Sequence, residues 1–419
     1  MANNGKFAAI DQAIISLANF AASILLAALV SPTELGIYVI GFLAIYFIRG
    51  VQNGIIIQPL NTFGAVKEDD AFRPYFSAMA VHQLLLSVIS AILAVLLGLF
   101  LTRLGDGRIG IAVFSLWFSF STWQTQEFIR RGFYTRGEVH KAVWISLIAN
   151  LVRLGLILIV AQIGQISGRT GLYAIGWGSL VATIAGLWLS RGYFTRAPQN
   201  ILSTWRENWP FGRWILGASL ADWAVIDLYP IIMAGMVSIA ATGIYQALQN
   251  LVAPIHVLLR AIDTFATPVL AKTFKRGGVA KLSRDLGLIY LIAGVPVIGL
   301  LSLVLLFTPQ LLSLMRGDTY LPYADGIIIM AIFYFFMFIN RPLQMVFRAA
   351  GEGRQIFWAN MLAALSIVTI GIWLINQWGL YGAMGGQALN AVIISLVLGF
   401  AWRKYSHVMK EKDQAAEKV

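Results

Sequence analysis

Apolar blocks of about 20 residues, the length that crosses roughly 30 Å of hydrocarbon as a helix, dominate this sequence. Apolar residues make up 58% of the 419 residues, charged residues only 12%, and the mean hydropathy is +0.75. Soluble chains contain nearer to a quarter charged residues. Because a helix satisfies its own backbone hydrogen bonds in lipid, the pattern predicts an all-α polytopic membrane protein.

The apolar blocks predict twelve transmembrane helices. The first block ends in small residues, as a signal peptide does, but its length and its counterpart later in the chain favour a retained helix. The predicted spans are 8–30, 35–60, 75–101, 109–129, 142–163, 171–190, 214–237, 242–268, 286–307, 325–346, 356–376 and 380–402.

The net charge of +12 is explained by membrane topology rather than by nucleic acid binding, because the basic residues lie mostly between apolar blocks. If the N-terminus is cytoplasmic, the outside loops contain few basic residues. The positive-inside rule therefore predicts that both termini are cytoplasmic. The basic residues of the outside loops are Arg103, Arg108, Arg169 and Arg316.

The sequence lacks the residues that several kinds of functional site require. The absence of cysteine excludes disulfides, thiol catalysis and cysteine metal sites, and the four histidines show no metal-ligand spacing. No phosphate loop of the GxxxxGK[ST] type occurs, and the longest outside loop, 307–325, carries no paired acids. We therefore expect neither an enzyme nor a resident metal or cofactor.

The two halves of the chain resemble each other. "GIY" occurs at 36–38 and 243–245, and "GLY" at 171–173 and 379–381. "FYTRGE" at 133–138 matches "FRAAGE" at 347–352. The matches occur in order and at nearly constant separation, which predicts two six-helix lobes in a parallel pseudo-twofold repeat. The predicted domains are an N-terminal lobe (1–190), a cytoplasmic interfacial linker (191–213), a C-terminal lobe (214–402) and a cytoplasmic tail (403–419).

Charged side chains occur inside the apolar blocks, although each costs roughly 2.5–3.5 kcal/mol at a helix centre. The stretch "TGIYQALQNLVAPIHVLLRAIDTF" carries His256, Arg260 and Asp263. The repeat aligns Arg49 with His256 and Asn53 with Arg260. Such residues usually face a bundle interior or a wet cavity, so the sequence predicts a cationic cavity suited to an anionic passenger.

Near the "FYTRGE" match, where the two copies are 214 residues apart, the repeat aligns Glu127 with Arg341. The predicted substrate-binding residues are Arg49, Asn53, His256, Arg260 and Arg341, with Glu127 and Asp263 as a gate or ion pair.

Structural roles compete with these predictions. Arg260 could extend to the cytoplasmic headgroups. Arg341, followed by proline, could anchor at the interface or pair with Glu127, and His256 could be a satisfied core histidine. Asp263 could pair with Arg260 or Lys272.

Two acids, Asp222 and Asp227, lie in the seventh span. Buried acids of transporters often bind Na⁺ or a proton, so these residues are candidates for cation coupling. Five residues apart, they point in different directions, which favours separate roles.

The span starts resemble those of bacterial polysaccharide flippases, the O-antigen and exopolysaccharide repeat-unit translocases of the multidrug/oligosaccharidyl-lipid/polysaccharide (MOP) exporter superfamily. The resemblance rests on "PTELGIYVI", "ATGIYQALQNLVAPI" and "WGLYGAMGGQAL" and on the six-plus-six repeat. The related drug exporters also have twelve spans but tend to use acidic cavity residues, so Asp222 and Asp227 keep that alternative open.

The resemblance implies a V-shaped pair of lobes around a central cationic cavity in the bacterial inner membrane. It also implies a substrate, an undecaprenyl-pyrophosphate-linked oligosaccharide carried from the cytoplasmic to the periplasmic leaflet by alternating access. Arg49 and Arg260 would hold the pyrophosphate, with Arg341 assisting. The implied partners are the lipid-linked oligosaccharide, membrane lipids, and polysaccharide polymerase and export proteins.

Overall fold

The computed structural model describes residues 2–104, 107–316 and 319–416, which are almost entirely helical. Short π-helical segments follow α2, at Asn53–Ile57 and Leu60–Gly64, and α11, at Ile367–Gly371. The helices are α1 (Ala2–Leu29), α2 (Pro32–Gln52), α3 (Asp69–Leu104), α4 (Gly107–Thr135), α5 (Val139–Gln162), α6 (Gly168–Leu189), α7 (Ile201–Met236), α8 (Ile239–Leu306), α9 (Thr308–Arg316), α10 (Gly326–Ala349), α11 (Gly353–Ser366) and α12 (Ile372–Ala416).

The burial pattern is the reverse of that in a soluble protein. On α3, Leu84, Leu93 and Phe100 are 62%, 57% and 57% exposed, whereas Asp11 and Gln52 are fully buried. Lipid solvates the apolar side chains, and polar groups must find partners inside the bundle. The chain is therefore a multi-pass membrane protein.

Each predicted span coincides with a helical stretch of the described structure. Eight helices in the described residues are long and apolar enough to cross a membrane, and the bent α7 is a ninth candidate. The last of the eight, residues 353–408, contains two predicted spans that meet at Gly379, whose φ of 54° lies in the left-handed region favoured by glycine. Gly278, with φ 58°, likewise separates the two spans within α8. The twelve-helix prediction is confirmed.

The helices form two compact units, Met1–Asp227 and Leu228–Val419, called unit 1 and unit 2 below. In unit 1, α4 packs against α2, α3, α5 and α6, and α1 packs against α5. In unit 2, α10 packs against α8, α11 and α12. The central helix is therefore α4 in unit 1 and α10 in unit 2, and the sequence repeat aligns these two helices.

Local geometry repeats between the units at the first sequence match. Ser31 caps α2 and Ser238 caps α8, and each serine hydroxyl accepts from the backbone N–H three residues ahead. Seven residues after each cap, Tyr38 and Tyr245 are buried, with 3% and 1% of their surface exposed. The "GIY" motif therefore marks equivalent helix starts.

The second equivalence lies where α4 and α10 end. Gly137 and Gly351 have φ angles of 71° and 77°. The next residues, Glu138 and Glu352, each donate a backbone N–H at 2.8 Å to the carbonyl five residues back. This left-handed glycine turn ends a helix, so "FYTRGE" and "FRAAGE" mark the same structural position.

The turn after α4 also contains an ion pair outside the membrane spans. Partial burial opposes ionisation of the Glu138 carboxyl, but hydrogen bonds from Lys141 at 2.7 Å and from Tyr193 outweigh it, so the pKa of Glu138 lies below its usual value. The charges of Lys141 and His140 act in the same direction.

A close backbone crossing joins the π-helical end of α2 to α7 within unit 1. A Cβ added to Gly54 would lie 2.5 Å from the Cα of Leu216, and one added to Gly212 would lie 2.9 Å from the carbonyl oxygen of Gly54. Seven residues beyond Leu216 on α7, the indole Nε1 of Trp223 donates to the carbonyl of Leu43 at 3.1 Å. Glycine is required because the two backbones touch.

The helix ends differ from the predicted domain bounds in two places. Most of the predicted linker, 191–213, forms the first turns of α7, where Trp205 and Trp209 stack with their centroids 5.4 Å apart. α12 continues to Ala416, so the predicted tail, 403–419, begins as helix. The placement of both segments at the cytoplasmic surface stays a prediction.

We expect Gly54→Ala to destabilise unit 1, because its methyl group would meet the α7 backbone. Overpacking of this kind costs about 1–3 kcal/mol. The matched control is Gly217→Ala on α7, where an added Cβ has nothing within 4 Å. Thermal unfolding of the purified protein in detergent should show a lower midpoint for Gly54→Ala and an unchanged or higher one for Gly217→Ala. Equal midpoints would contradict the close crossing.

Candidate functional site

Glu127 on α4 is a buried carboxylate held by two consecutive arginines. Arg130 donates to it through Nε and Nη2, both at 2.8 Å, and Arg131 donates through Nε at 2.8 Å. Glu127 is 6% exposed. Spacings of three and four residues place all three side chains on one helix face, and the two forked guanidinium bonds from Arg130 are of the strong charge-assisted kind.

Arg130 also joins α4 to α1. Its Nη1 donates to Oδ2 of Asp11, and the Tyr134 hydroxyl donates to the same oxygen at 2.6 Å. Asp11 and Arg130 are 1% and 5% exposed. Every nitrogen of the Arg130 guanidinium therefore faces a carboxylate. We call Asp11, Glu127, Arg130, Arg131 and Tyr134 the charge network.

Arg49, predicted to bind substrate, lies on α2. Its side chain is exposed and its guanidinium carbon lies 5.5 Å from the centre of the Tyr46 ring. It makes no hydrogen bond or ion pair with any side chain that the structure describes, although its charge acts on Glu127. The forked donors of Arg49 are therefore available to an anion.

Asn53, the other predicted residue of α2, is anchored within the protein. Its Nδ2 donates to the hydroxyl of Ser219 on α7 at 3.1 Å, and its Oδ1 accepts from Gln58 at 3.4 Å. Asn53 begins the π-helical segment, so it does not continue the regular helix face of Arg49. The amide positions α2 against α7, and its substrate-binding role stays a prediction.

A second arginine, Arg153 on α5, is buried within unit 1. Its Nη1 donates to Asn19 at 2.6 Å and its Nη2 to the hydroxyl of Tyr38, the tyrosine of the first "GIY" motif. Its guanidinium carbon lies 5.8 Å from the centre of the Phe42 ring. Arg153 is 5% exposed, so it holds helices together rather than facing a ligand.

In unit 2, Asp263 pairs with residues of α10. Arg348 Nη1 donates to its two carboxylate oxygens at 3.1 and 3.2 Å, and Arg341 lies 3.8 Å away. The described partners of Asp263 are thus arginines of α10, whereas its predicted pairing with Arg260 or Lys272 stays a prediction. Arg341 has an acid in its own unit, and the described partners of Glu127 are Arg130 and Arg131.

The remaining predicted residues are only partly described. His256 is half-buried, with its ring 6.4 Å from that of Tyr334 in an edge-on contact, and Asp227 is half-buried on α7. The side chains of Asp222 and Arg260 lie outside the described residues. The predicted convergence of the substrate residues on one cavity, and the cation-coupling role of the two acids, stay predictions.

Two features of the sequence could have predicted parts of the charge network. Glu127, Arg130 and Arg131 have the spacing of one helix face, but the predicted fourth span ends at 129 and leaves both arginines outside it. Asp11 lies inside the first predicted span, where an acid marks a functional or paired site. Its pairing with Arg130, 119 residues away, could not be read from spacing.

We expect Arg130→Ala to destabilise the protein strongly, because both Asp11 and Glu127 would lose a buried partner. Removing one partner of a buried pair costs about 3–5 kcal/mol. The control is Arg136→Ala, because Arg136 pairs with Asp69, whose side chain is 71% exposed, and exposed pairs contribute about 0–1 kcal/mol. Thermal unfolding in detergent measures both, and an Arg130→Ala midpoint as high as that of Arg136→Ala would contradict the structural role of the network.

The fold is that of solved transporters. An inward-facing multidrug resistance MATE family transporter of the MOP superfamily matches with a TM-score of 0.75 at 16% identity, over 96% of this chain and 99% of that one. A MATE transporter in the straight conformation matches with a TM-score of 0.64 at 15% identity, over 96% and 94%. A MOP superfamily transporter from Pyrococcus furiosus, whose binding pocket is described as having reverse polarity, matches with a TM-score of 0.60 at 14% identity, over 96% and 94%.

No curated protein sequence matches the chain. A family model described as "Polysaccharide biosynthesis protein" matches residues 65–274, half of the chain. The family match and the transporter fold agree with the resemblance seen in the sequence. The chain belongs to the polysaccharide biosynthesis protein family and has the fold of MOP superfamily transporters.

Proposed function

We propose that the protein is a flippase that moves an undecaprenyl-pyrophosphate-linked oligosaccharide from the cytoplasmic to the periplasmic leaflet. The family match supports a role in polysaccharide biosynthesis, and the fold supports transport. In this pathway class the cargo is an anionic lipid-linked sugar, which cannot cross a bilayer unaided because its head group is charged and hydrated.

The observation that carries the proposal is the free guanidinium of Arg49. It is exposed on a transmembrane helix and, within the described part of the chain, forms neither a hydrogen bond nor an ion pair. Guanidinium groups match phosphate oxygens in forked hydrogen bonds and keep their charge at any physiological pH. A drug exporter for cations would place an acid at such a position instead.

The transport cycle alternates between a conformation open to the cytoplasm and one open to the periplasm. A substrate can shift this equilibrium only by binding the two conformations differently. We assign this differential binding to the pyrophosphate, held by Arg49 and Arg260 with Arg341 and His256 assisting. The prenyl chain stays in lipid and the sugars stay in water.

The cellular setting follows from the same proposal. The excess of basic residues in one set of loops favours cytoplasmic termini, and the family resemblance favours the bacterial inner membrane. Polysaccharide polymerase and export proteins would take over the product. Protons or Na⁺ would supply energy through Asp222 and Asp227.

We expect a strain lacking this protein to accumulate lipid-linked oligosaccharide in the cytoplasmic leaflet. Arg49→Ala, alone and with Arg260→Ala, should fail to restore export, because losing a charge-assisted hydrogen bond lowers affinity roughly 10- to 100-fold. Arg73→Ala, which changes an exposed arginine on α3, is the matched control and should restore export. Surface polysaccharide and leaflet-resolved lipid extraction give the readout, with membrane abundance checked for each variant.

Normal export by the double variant would reject the assignment of the arginines. A null strain that keeps normal polysaccharide but loses resistance to cationic drugs would refute the flippase proposal and support the drug-exporter alternative.

The cation-coupling proposal makes a separate prediction. Replacing both Asp222 and Asp227 with Asn should remove the dependence of transport on the Na⁺ or proton gradient, because the amides carry no charge to bind the cation. Asp69→Asn, at the exposed first residue of α3, is the control. Reconstituted vesicles with imposed gradients would measure the effect, and unchanged gradient dependence in the double variant would remove both acids from the coupling mechanism.

A further inference from the structure

The two arginines of the charge network differ in how many of their guanidinium nitrogens donate hydrogen bonds. Arg130 donates from Nε and both terminal nitrogens to Glu127 and Asp11, and it is 5% exposed. Arg131 donates only its Nε to Glu127, at 2.8 Å, and its side chain is 28% exposed. Among the described residues, the two terminal nitrogens of Arg131 have no hydrogen-bond partner, and they are not buried.

Arg131 can leave Glu127 without breaking the network. Glu127 would keep its forked bond from Arg130 through Nε and Nη2, both at 2.8 Å. Arg130 cannot leave in the same way, because Asp11 depends on its Nη1 and would be buried without a cation. The guanidinium of Arg131 is therefore the exchangeable partner.

A second free guanidinium acts on the same carboxylate. The charge of Arg49 acts on Glu127, although Arg49 makes no ion pair within the described part of unit 1. The positive charge of Arg49 thus acts on the same singly charged carboxylate that accepts the hydrogen bond of Arg131. A diphosphate brings more charge and more acceptor oxygens than this carboxylate, so it is the better partner for both.

We infer that Arg131 is a second phosphate-binding residue of unit 1 and that Glu127 is an internal anion that holds it until a polyprenyl diphosphate head group arrives. The ligand class rests on the proposed function. Arg131 then exchanges the Glu127 oxygen for a phosphate oxygen, alongside Arg49, while Arg130 keeps Glu127 paired. No covalent bond forms or breaks.

The test is binding of farnesyl diphosphate to the purified full-length protein in detergent, compared with farnesyl monophosphate and farnesol. We expect the wild type to prefer the diphosphate. Arg131→Ala should weaken diphosphate binding roughly tenfold or more, the loss typical of a charge-assisted hydrogen bond, and should bring the diphosphate and monophosphate affinities together. Arg131→Lys should retain part of the affinity, because it keeps the charge but not the fork.

Arg136→Ala, in the turn directly after α4, is the control and should bind as the wild type does. Unfolding midpoints confirm that Arg131→Ala is folded, which is expected because Glu127 keeps Arg130. Wild-type affinity and preference in a folded Arg131→Ala variant would overturn the inference. A Glu127→Gln variant removes the competing charge and should bind the diphosphate several-fold more tightly.

The outcomes separate this inference from the proposed function. Arg131-dependent diphosphate binding in a protein whose loss leaves lipid-linked oligosaccharide unchanged would refute the flippase and keep the site. Oligosaccharide accumulation in the null strain, together with unchanged binding by Arg131→Ala, would keep the flippase and refute the site.

Discussion

The pairing of buried charges in unit 1 is the constraint on which the rest of its structure depends. An ionised group taken out of water is tolerated only when its partners replace its hydration, and lipid offers none. Arg130 meets this demand for two acids at once, because its three nitrogens reach both Glu127 and Asp11. One side chain thereby fixes α1 to α4, the helix around which the other helices of unit 1 pack.

The same rule distinguishes two other arginines of unit 1. Arg153 is buried and donates from its two terminal nitrogens to Asn19 and Tyr38, so its side chain holds helices together. Arg49 is exposed without such partners, one turn before the Gly54 crossing that fixes its helix. A rigid helix carrying a free guanidinium is preorganised for an anion, because little order must be gained on binding.

The sequence predicted the parts of the fold that depend on local pattern. Apolar blocks gave the twelve helices, and the repeated "GIY" and glycine–glutamate motifs mark equivalent caps and turns, seen at Ser31 and Ser238. Contacts between distant segments were not predictable. The bond from Asn53 to Ser219 spans 166 residues, and Asp263 pairs with arginines about 80 residues further along, so no helical spacing encodes either. Arg131 was missed because its helix extends beyond the predicted span end at 129.

The hydrogen bond between Glu127 and Arg131 also affects which anionic head groups the site selects. Membranes contain abundant anionic phospholipids, whose phosphodiesters carry one charge, as Glu127 does. A headgroup of that kind gains little by displacing Glu127 from Arg131, because one monoanion replaces another and the internal one is already in place. A diphosphate gains more, since its additional charge and oxygens engage Arg49 and Arg131 together. The competing carboxylate thus converts a general attraction for anions into a preference for the more highly charged head group.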